Sequence, residues 1–401
     1  MNKKGSIFIA GTGKDAGKTT ISMGLVSYFK EKFPDQVSFI KPLGQKTSVI
    51  NGVGVGQDSL LLQNALNLNT PSELSAPFST GSGAAERFII SGEPKNLKGK
   101  IVKAYKKLYS NSKIVVVEGT GHPGVGSVFN LSNAKVASLY KTPVILILSG
   151  GVGSTIDRFN LSIAPFQKEN VELLGVIINK ILPSKMEKVT SILSKWFEER
   201  GIPVFGFIPY DDSISAPSLG VLSKELGMET IFLNNDKELS SISGFIYAFG
   251  SRDEVLKELD GVSGKALLVS KRRNDIIDTI IARKLSGVAD GSPEALILCG
   301  EGSIDNWIKA GCEKAGLPLF ETNKSFDKTS RKLHMKVFKV EPEESEKIGK
   351  ILRLVKESVD IEMINNLLFN HGNEEKNSKD NIFRSLITRS LGVISNLLKK
   401  R

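Results

Sequence analysis

The sequence predicts an α/β protein: a mostly parallel sheet with helices on both faces, then a second, smaller α/β domain, then a C-terminal basic amphipathic helix. Three observations carry this reading. Short apolar runs alternate with amphipathic stretches from residue 6 to about 210, the alternation restarts after a polar interval at 234–241, and the pattern changes again beyond 370. Strands buried on both faces read as continuous apolar runs, and such strands alternating with helices build parallel sheets.

In chain order, the runs at 6–10, 37–40, 114–117, 144–148, 173–178 and 204–208 read as buried strands, with a helical pattern at 20–32 and a loop with a short helix at 213–228. Beyond the polar interval, 266–270, 295–299 and 317–321 read as strands and 275–283 and 303–315 as helices. The stretch 371–380 is polar, without apolar periodicity, and reads as a linker. Phe383, Leu386, Ile387, Ile394, Leu397 and Leu398 then recur at helical spacing, with Arg384, Arg389, Lys399, Lys400 and Arg401 supplying charge.

A chain of 401 residues exceeds one ordinary core. The expected division is a first domain at 1–228, a second at 230–370, the linker at 371–380 and the basic helix at 381–401. A hydrophobic fraction of 40% and a charged fraction of 24% belong to globular protein rather than to a disordered or fibrous chain. No apolar run approaches the ~20 residues that cross a bilayer, and the N-terminus lacks the pattern of a signal peptide. The expected location is therefore cytoplasmic. Cys299 and Cys312 are the only cysteines, too few for a disulfide framework and without metal-ligand neighbours. The net charge of +11 favours anionic partners as well as solubility.

Between the first strand and the first helix lies Gly11-Thr12-Gly13-Lys14-Asp15-Ala16-Gly17-Lys18-Thr19. In a P-loop, backbone N–H groups and the following helix dipole face phosphate oxygens, a lysine neutralises the β/γ charge, and the next Ser or Thr hydroxyl reaches Mg²⁺. Lys18 and Thr19 stand at those two positions. The spacing departs from the common template: Gly11 stands six residues before Gly17, and Thr12 takes the place of the first glycine. Lys14 is open to two readings, a phosphate contact or a solvated charge. Glu118 ends the strand 114–117 ahead of Gly119-Thr120-Gly121, the placement of a metal-ligating acid. Asp58 is either a second metal ligand or a helix cap. Lys41, at the end of strand 37–40, either meets an anion or lies on the surface.

Together these residues resemble the dethiobiotin synthetase family. The lengthened loop of the form G-T-x4-G-K-T is matched by Gly11-Thr12 through Gly17-Lys18-Thr19. Lys41-Pro42, Asp58-Ser59-Leu60, Glu118-Gly119-Thr120-Gly121 and Asn179 after Gly175-Val176-Ile177-Ile178 match its further motifs in order. The resemblance covers residues 5 to about 228 and implies a P-loop NTPase-like fold. It implies that Gly13, Lys14, Asp15, Ala16, Gly17, Lys18, Thr19 and Thr20 cradle the phosphates of ATP, and that Asn179 reads the adenine edge. It further implies that Thr19, Asp58 and Glu118 hold Mg²⁺, and that Lys18, Lys41 and Glu118 carry the chemistry. The implied reaction is carbon–nitrogen ligation through a phosphorylated carboxylate or carbamate, on a small carboxylate or diamine, in a homodimer.

Cobyrinic and cobyric acid amidating synthases share most of these motifs. Their ammonia comes from a glutaminase domain with a nucleophilic cysteine, and here Cys299 with His334 is the nearest approach to one. Residues 205–211, with Ala216-Pro217-Ser218, resemble the synthetase-like region of long bacterial phosphotransacetylases, and the second domain resembles the DRTGG domain that follows it there. In the loop where that domain carries G-D-R-x-D, this chain has Lys271-Arg272-Arg273-Asn274-Asp275, of which Arg273 and Asp275 fit. This layout gives a second expectation, a nucleotide-dependent regulatory switch without ligase activity. The helix at 381–401 fits either a membrane surface or a docking site within its own protein or dimer. No nucleic-acid-binding signature is present, so nucleic acid is not an expected partner. His122, beside the presumed site, is either a substrate contact or a bystander, and 79–87 either shapes a pocket or is an ordinary loop.

Overall fold

The structure is a computed structural model and describes residues 3–44, 47–50, 53–79, 81, 83–92, 96–233, 242–287, 291–335 and 338–370. The expected linker and basic helix beyond 370 lie outside the described residues, as does the polar interval 234–241. The chain forms two compact units: the residues up to Tyr210 together with those from Ile348, and Asp211–Lys347 between them.

The first unit contains β1 (Gly5–Gly11), α1 (Lys18–Lys32), β2 (Val37–Ile40), the hairpin β3 (Thr47–Ile50) and β4 (Val53–Gly56), and helices α2 (Gln57–Ala65), α3 (Ser72–Ser75), α4 (Ala84–Ser91) and α5 (Leu97–Asn111). It continues with β5 (Ile114–Glu118), α6 (Asn133–Tyr140), β6 (Val144–Ser149), α7 (Gly153–Lys168), β7 (Leu173–Ile181), α8 (Met186–Glu198) and β8 (Val204–Pro209). Six parallel strands lie in the order β2-β5-β1-β6-β7-β8. All residues of β1, β2 and β5 are buried, as their unbroken apolar runs require.

The strand order explains where a ligand can sit. After β1 the chain steps towards β2 at one edge; every later crossover steps the other way. Right-handed crossovers therefore put α1 on one face and α5 to α8 on the other. Phe8, Ile101, Ala137, Phe166 and Phe197 pack in the core on the α5–α8 side. Reversal of the order beside β1 opens a crevice at the carboxyl ends of the strands, and the glycine loop after β1 emerges there.

The second unit contains α9 (Asp212–Ser215), α10 (Leu219–Leu226), β9 (Glu229–Phe232), β10 (Gly244–Tyr247), α11 (Arg252–Leu259), β11 (Lys265–Ser270), α12 (Asn274–Leu285), β12 (Ala295–Cys299), α13 (Asn306–Ala315), β13 (Leu319–Thr322) and α14 (Phe326–Met335). Its sheet runs β10-β11-β12-β13-β9, parallel except for β9. Ser251 caps α11 in a capping box with Glu254, and Gly316 closes α13 in a left-handed conformation.

Helix α15 (Ser345–Ser358) leads to α16 (Ile361–Asn370). The division expected at 228/230 falls elsewhere: 211–228 cluster with the second unit and 348–370 with the first. The physical reason lies at edge strand β8. Val359 forms an antiparallel bridge with Gly206, and the Asp360 N–H donates to the Phe205 carbonyl. Gly24 of α1 meets Val355 so closely that an added Cβ would lie 2.4 Å from it. Such a return to an edge strand leaves no signature in local periodicity.

Candidate functional site

The register of β1, β2 and β5 assembles the site. Ile40 pairs with Val117 and Ile9 with Glu118, so Lys41 emerges beside Glu118 and the glycine loop rises just beyond β1. Glu118 is fully buried, and Lys41 and Asp58 are buried with it. The Lys41 ammonium donates to Asp58 Oδ2 and to Glu118 Oε1, each at 2.6 Å. Burial alone would push Lys41 down, but Glu118 and then Asp58 more than reverse this and hold it above the ordinary lysine range. The Thr19 hydroxyl donates to Glu118 Oε1 at 3.0 Å.

Asp58 stands in the first turn of α2, behind the N-cap residue Gly56, so it is not the helix cap. Its carboxylate gains from the helix dipole there while facing Lys41.

Lys18 begins α1 and is buried. Its ammonium donates to the carbonyls of Gly13 at 2.7 Å and Gly121 at 2.9 Å. Burial lowers its pKa to about 8, and Lys41 adds to the depression while Glu118 opposes it. An anion arriving here would meet an ammonium whose hydrogen bonds go to carbonyls rather than to a carboxylate, and the amide-bearing N-terminus of α1.

Gly17 caps α1 at φ 92, where only glycine is unstrained, and an added Cβ would lie 2.0 Å from Asn179 Nδ2. Asn179, from the end of β7, is buried; its amide donates to the Ala16 carbonyl at 2.9 Å and its Oδ1 accepts from the Lys180 N–H. In this state it braces the glycine loop. Lys14 and Asp15 are exposed, and Gly13, Thr19 and Thr20 are partly so.

The residues fit a divalent cation. Among the described residues Glu118 Oε2 is buried with no hydrogen-bond partner, although its sister oxygen accepts two hydrogen bonds. With Thr19 and Asp58 it offers the all-oxygen donor set of a hard cation that keeps part of its water shell.

Two groups escaped the sequence reading. Asn133, buried at the start of α6, accepts from the Thr120 N–H and donates to the carbonyls of Thr120 and His122, fixing the loop after Glu118. Thr120 in turn donates to the Leu43 carbonyl. A polar residue at a helix start gives no sign of such a reach. Lys180 adopts φ 60, a left-handed conformation that the sequence does not betray. His122 is exposed and its Nδ1 accepts from the Gly124 N–H. The stretch 79–87 runs into α4, whose Phe88 packs on Phe129. Cys299 and Cys312 are buried, and burial pushes their thiols up to about 11 and about 12, opposite to what a nucleophile needs.

A family model described as an AAA domain matches residues 5–218. The chain is 25% identical over 392 residues to a phosphate acetyltransferase of Haemophilus influenzae, covering 90% of this chain and 53% of that one. It is 28% identical over 238 residues to the ATP-dependent dethiobiotin synthetase of Nitrosopumilus maritimus, covering 55% of this chain and 95% of that one. The chain thus spans about half the length of the phosphate acetyltransferases it matches. Among solved structures, a cobyrinic acid a,c-diamide synthase from Mycobacterium smegmatis with bound ADP and magnesium aligns over 52% of this chain and 88% of that one, at 16% identity and a TM-score of 0.35.

Proposed function

The chain belongs to this AAA-domain family of P-loop proteins, and on that premise we propose that its first unit binds Mg²⁺–ATP and transfers the γ-phosphoryl group to an oxygen of a small carboxylate or carbamate, preparing it for attack by nitrogen. The observation that supports this most is the convergence of Lys18, Thr19, Lys41, Asp58 and Glu118 at the carboxyl ends of β1, β2 and β5.

Lys18 exchanges its two carbonyl partners for phosphate oxygens, a trade of dipole for charge that favours binding. Thr19, Asp58 and Glu118 would hold Mg²⁺, which supplies charge neutralisation at the phosphoryl oxygens. Lys41 remains protonated at any physiological pH and can draw the acceptor's anionic oxygen towards the phosphorus. Asn179 changes partners from the loop carbonyl to the base when nucleotide enters. The reaction then rests on position and charge rather than on a covalent enzyme intermediate.

A second reading is a nucleotide-dependent regulatory unit. It is supported by the match of 90% of the chain to about half of a phosphate acetyltransferase. Phosphate release from Mg²⁺–ATP, with and without a diamine and bicarbonate, separates the two, with Lys18→Ala as the blank and nucleotide binding measured in the same samples. Diamine-dependent release supports the ligase. Binding without such release removes the diamine as substrate and favours regulation.

A further inference from the structure

Helix α5 carries Lys98, Lys100, Lys103, Lys106 and Lys107 and no acidic residue. All five are exposed, and among the described residues none makes an ion pair or a side-chain hydrogen bond. Other exposed helices of the unit mix their charges: α7 has Asp157 beside Arg158, and α8 sets Glu187 and Glu198 against Lys188 and Lys195. Of the elements packed against α5, α3 offers Glu73 and β5 offers the wholly buried Glu118. Lys4 donates to the carbonyls of Tyr109 and Ser110 at the last turn, adding a cation at that end.

The inward side of α5 is Leu97, Ile101, Ala104, Tyr105 and Leu108, all buried. Lys100, Lys103 and Lys107 stand three and four residues apart along one exposed flank, with Lys106 adjoining on the side facing away from the core. At ~1.5 Å rise per residue the row is about 10 Å long. Duplex nucleic acid presents one phosphate per ~1.7 Å of axis, so a row of this length meets several phosphates. Lysines act as point charges and contact the backbone without reading bases. An acidic lipid surface would attract the same charges, but helices that lie on lipid insert an apolar face, and that of α5 is sealed in the core.

We propose that the exposed lysine row of α5 binds the phosphate backbone of duplex nucleic acid without sequence preference. The proposal does not depend on the reading of the nucleotide site.

The test uses the full-length protein and a labelled duplex of arbitrary sequence, with anisotropy measured over a range of salt. The variant is Lys100→Glu/Lys103→Glu/Lys107→Glu. The control, Lys168→Glu/Lys188→Glu/Lys195→Glu, makes the same change in net charge at exposed positions of α7 and α8. Circular dichroism checks the fold of each. The α5 variant is expected to bind at least ~10-fold more weakly at low salt and to flatten the log–log salt slope by about 0.9 per lysine. The control should stay within about threefold of the parent under the same counterion-release arithmetic. Absence of duplex binding by the parent, equal losses in both variants, or capture by phosphatidylserine vesicles in place of duplex would overturn the proposal.

Discussion

Both sheets end their parallel strands in loops rich in glycine and basic residues, yet the two edges are built for different ends. In the first unit Lys41 and Lys18 lie buried among carboxylates and carbonyls that converge on one point, and Glu118 keeps an oxygen without a hydrogen-bond partner among the described residues. In the second, Lys271 donates to the Gly302 carbonyl at 2.7 Å and to Asn323 Oδ1 at 3.2 Å, with Glu321 Oε2 also 3.2 Å away. That last contact is close but misaligned, so Glu321 gains charge attraction without a hydrogen bond. Arg273 is likewise taken up by Asp275 and the Gly250 carbonyl. Strand order accounts for the contrast. The first sheet reverses direction beside β1 and opens a crevice, whereas β10 to β13 follow one another without reversal. Their loops are free to bond to each other, and the lysine becomes a clasp.

The largest effect should come from the same substitution at both edges. Lys41→Met leaves two carboxylates buried without their cation and should cost about 3–5 kcal/mol, the usual result of halving a buried ion pair. Lys271→Met leaves Glu321, whose side chain is 19% exposed, and should cost only about 1–2 kcal/mol. Magnesium should restore much of the loss at Lys41 and none at Lys271. Urea unfolding with and without magnesium reads both; equal rescue, or none at either edge, would dissolve the distinction.

Protonation sharpens the same contrast. Burial holds Lys18 at about 8 rather than its ordinary 10.5. Between those values the unfolded chain keeps a proton the native protein has lost, so this group's contribution to stability rises with pH across that window. Nucleotide binding should run the other way, because phosphate requires the ammonium. Affinity should be level below about 8 and fall above it, approaching ~10-fold per pH unit, with uptake of about one proton. Calorimetry in buffers of differing ionisation enthalpy measures that proton, and pH-independent affinity would show that Lys18 is already fully charged.

Much of this was legible in the sequence because it was local. The six strands of the first sheet are apolar runs that need no partner to be recognised, and their observed bounds exceed the expected ones mainly at the ends: 173–178 became Leu173–Ile181 and 204–208 became Val204–Pro209. Glycine, lysine and threonine after β1 announced themselves by spacing. What escaped depends on distance along the chain. The hold of Asn133 on the loop after Glu118, the brace between Asn179 and Ala16, and the return of Val359 to Gly206 join segments that local periodicity treats as unrelated. Strands β9 and β10 escaped for another reason: they are the edge strands of their sheet and are largely unburied, so they lack the unbroken apolar run that reveals the equally short β2.

The smallest effect concerns the backbone. The second unit makes its left-handed turns after β12 with Gly300 at φ 113 and Gly302 at φ 106, whereas the first places Lys180 at φ 60 beside Asn179. An L-residue held there costs roughly 1–2 kcal/mol. Gly300→Ala, with nothing within 4 Å of the added Cβ, should therefore lose about 1 kcal/mol through backbone strain alone. Lys180→Gly should gain ~0.5 kcal/mol, because relief of strain is partly offset by the greater freedom of glycine in the unfolded chain. A loss at Lys180→Gly would mean that its side chain supplies a contact outweighing the strain, and matched nucleotide titrations would then show whether that contact serves the fold or the ligand.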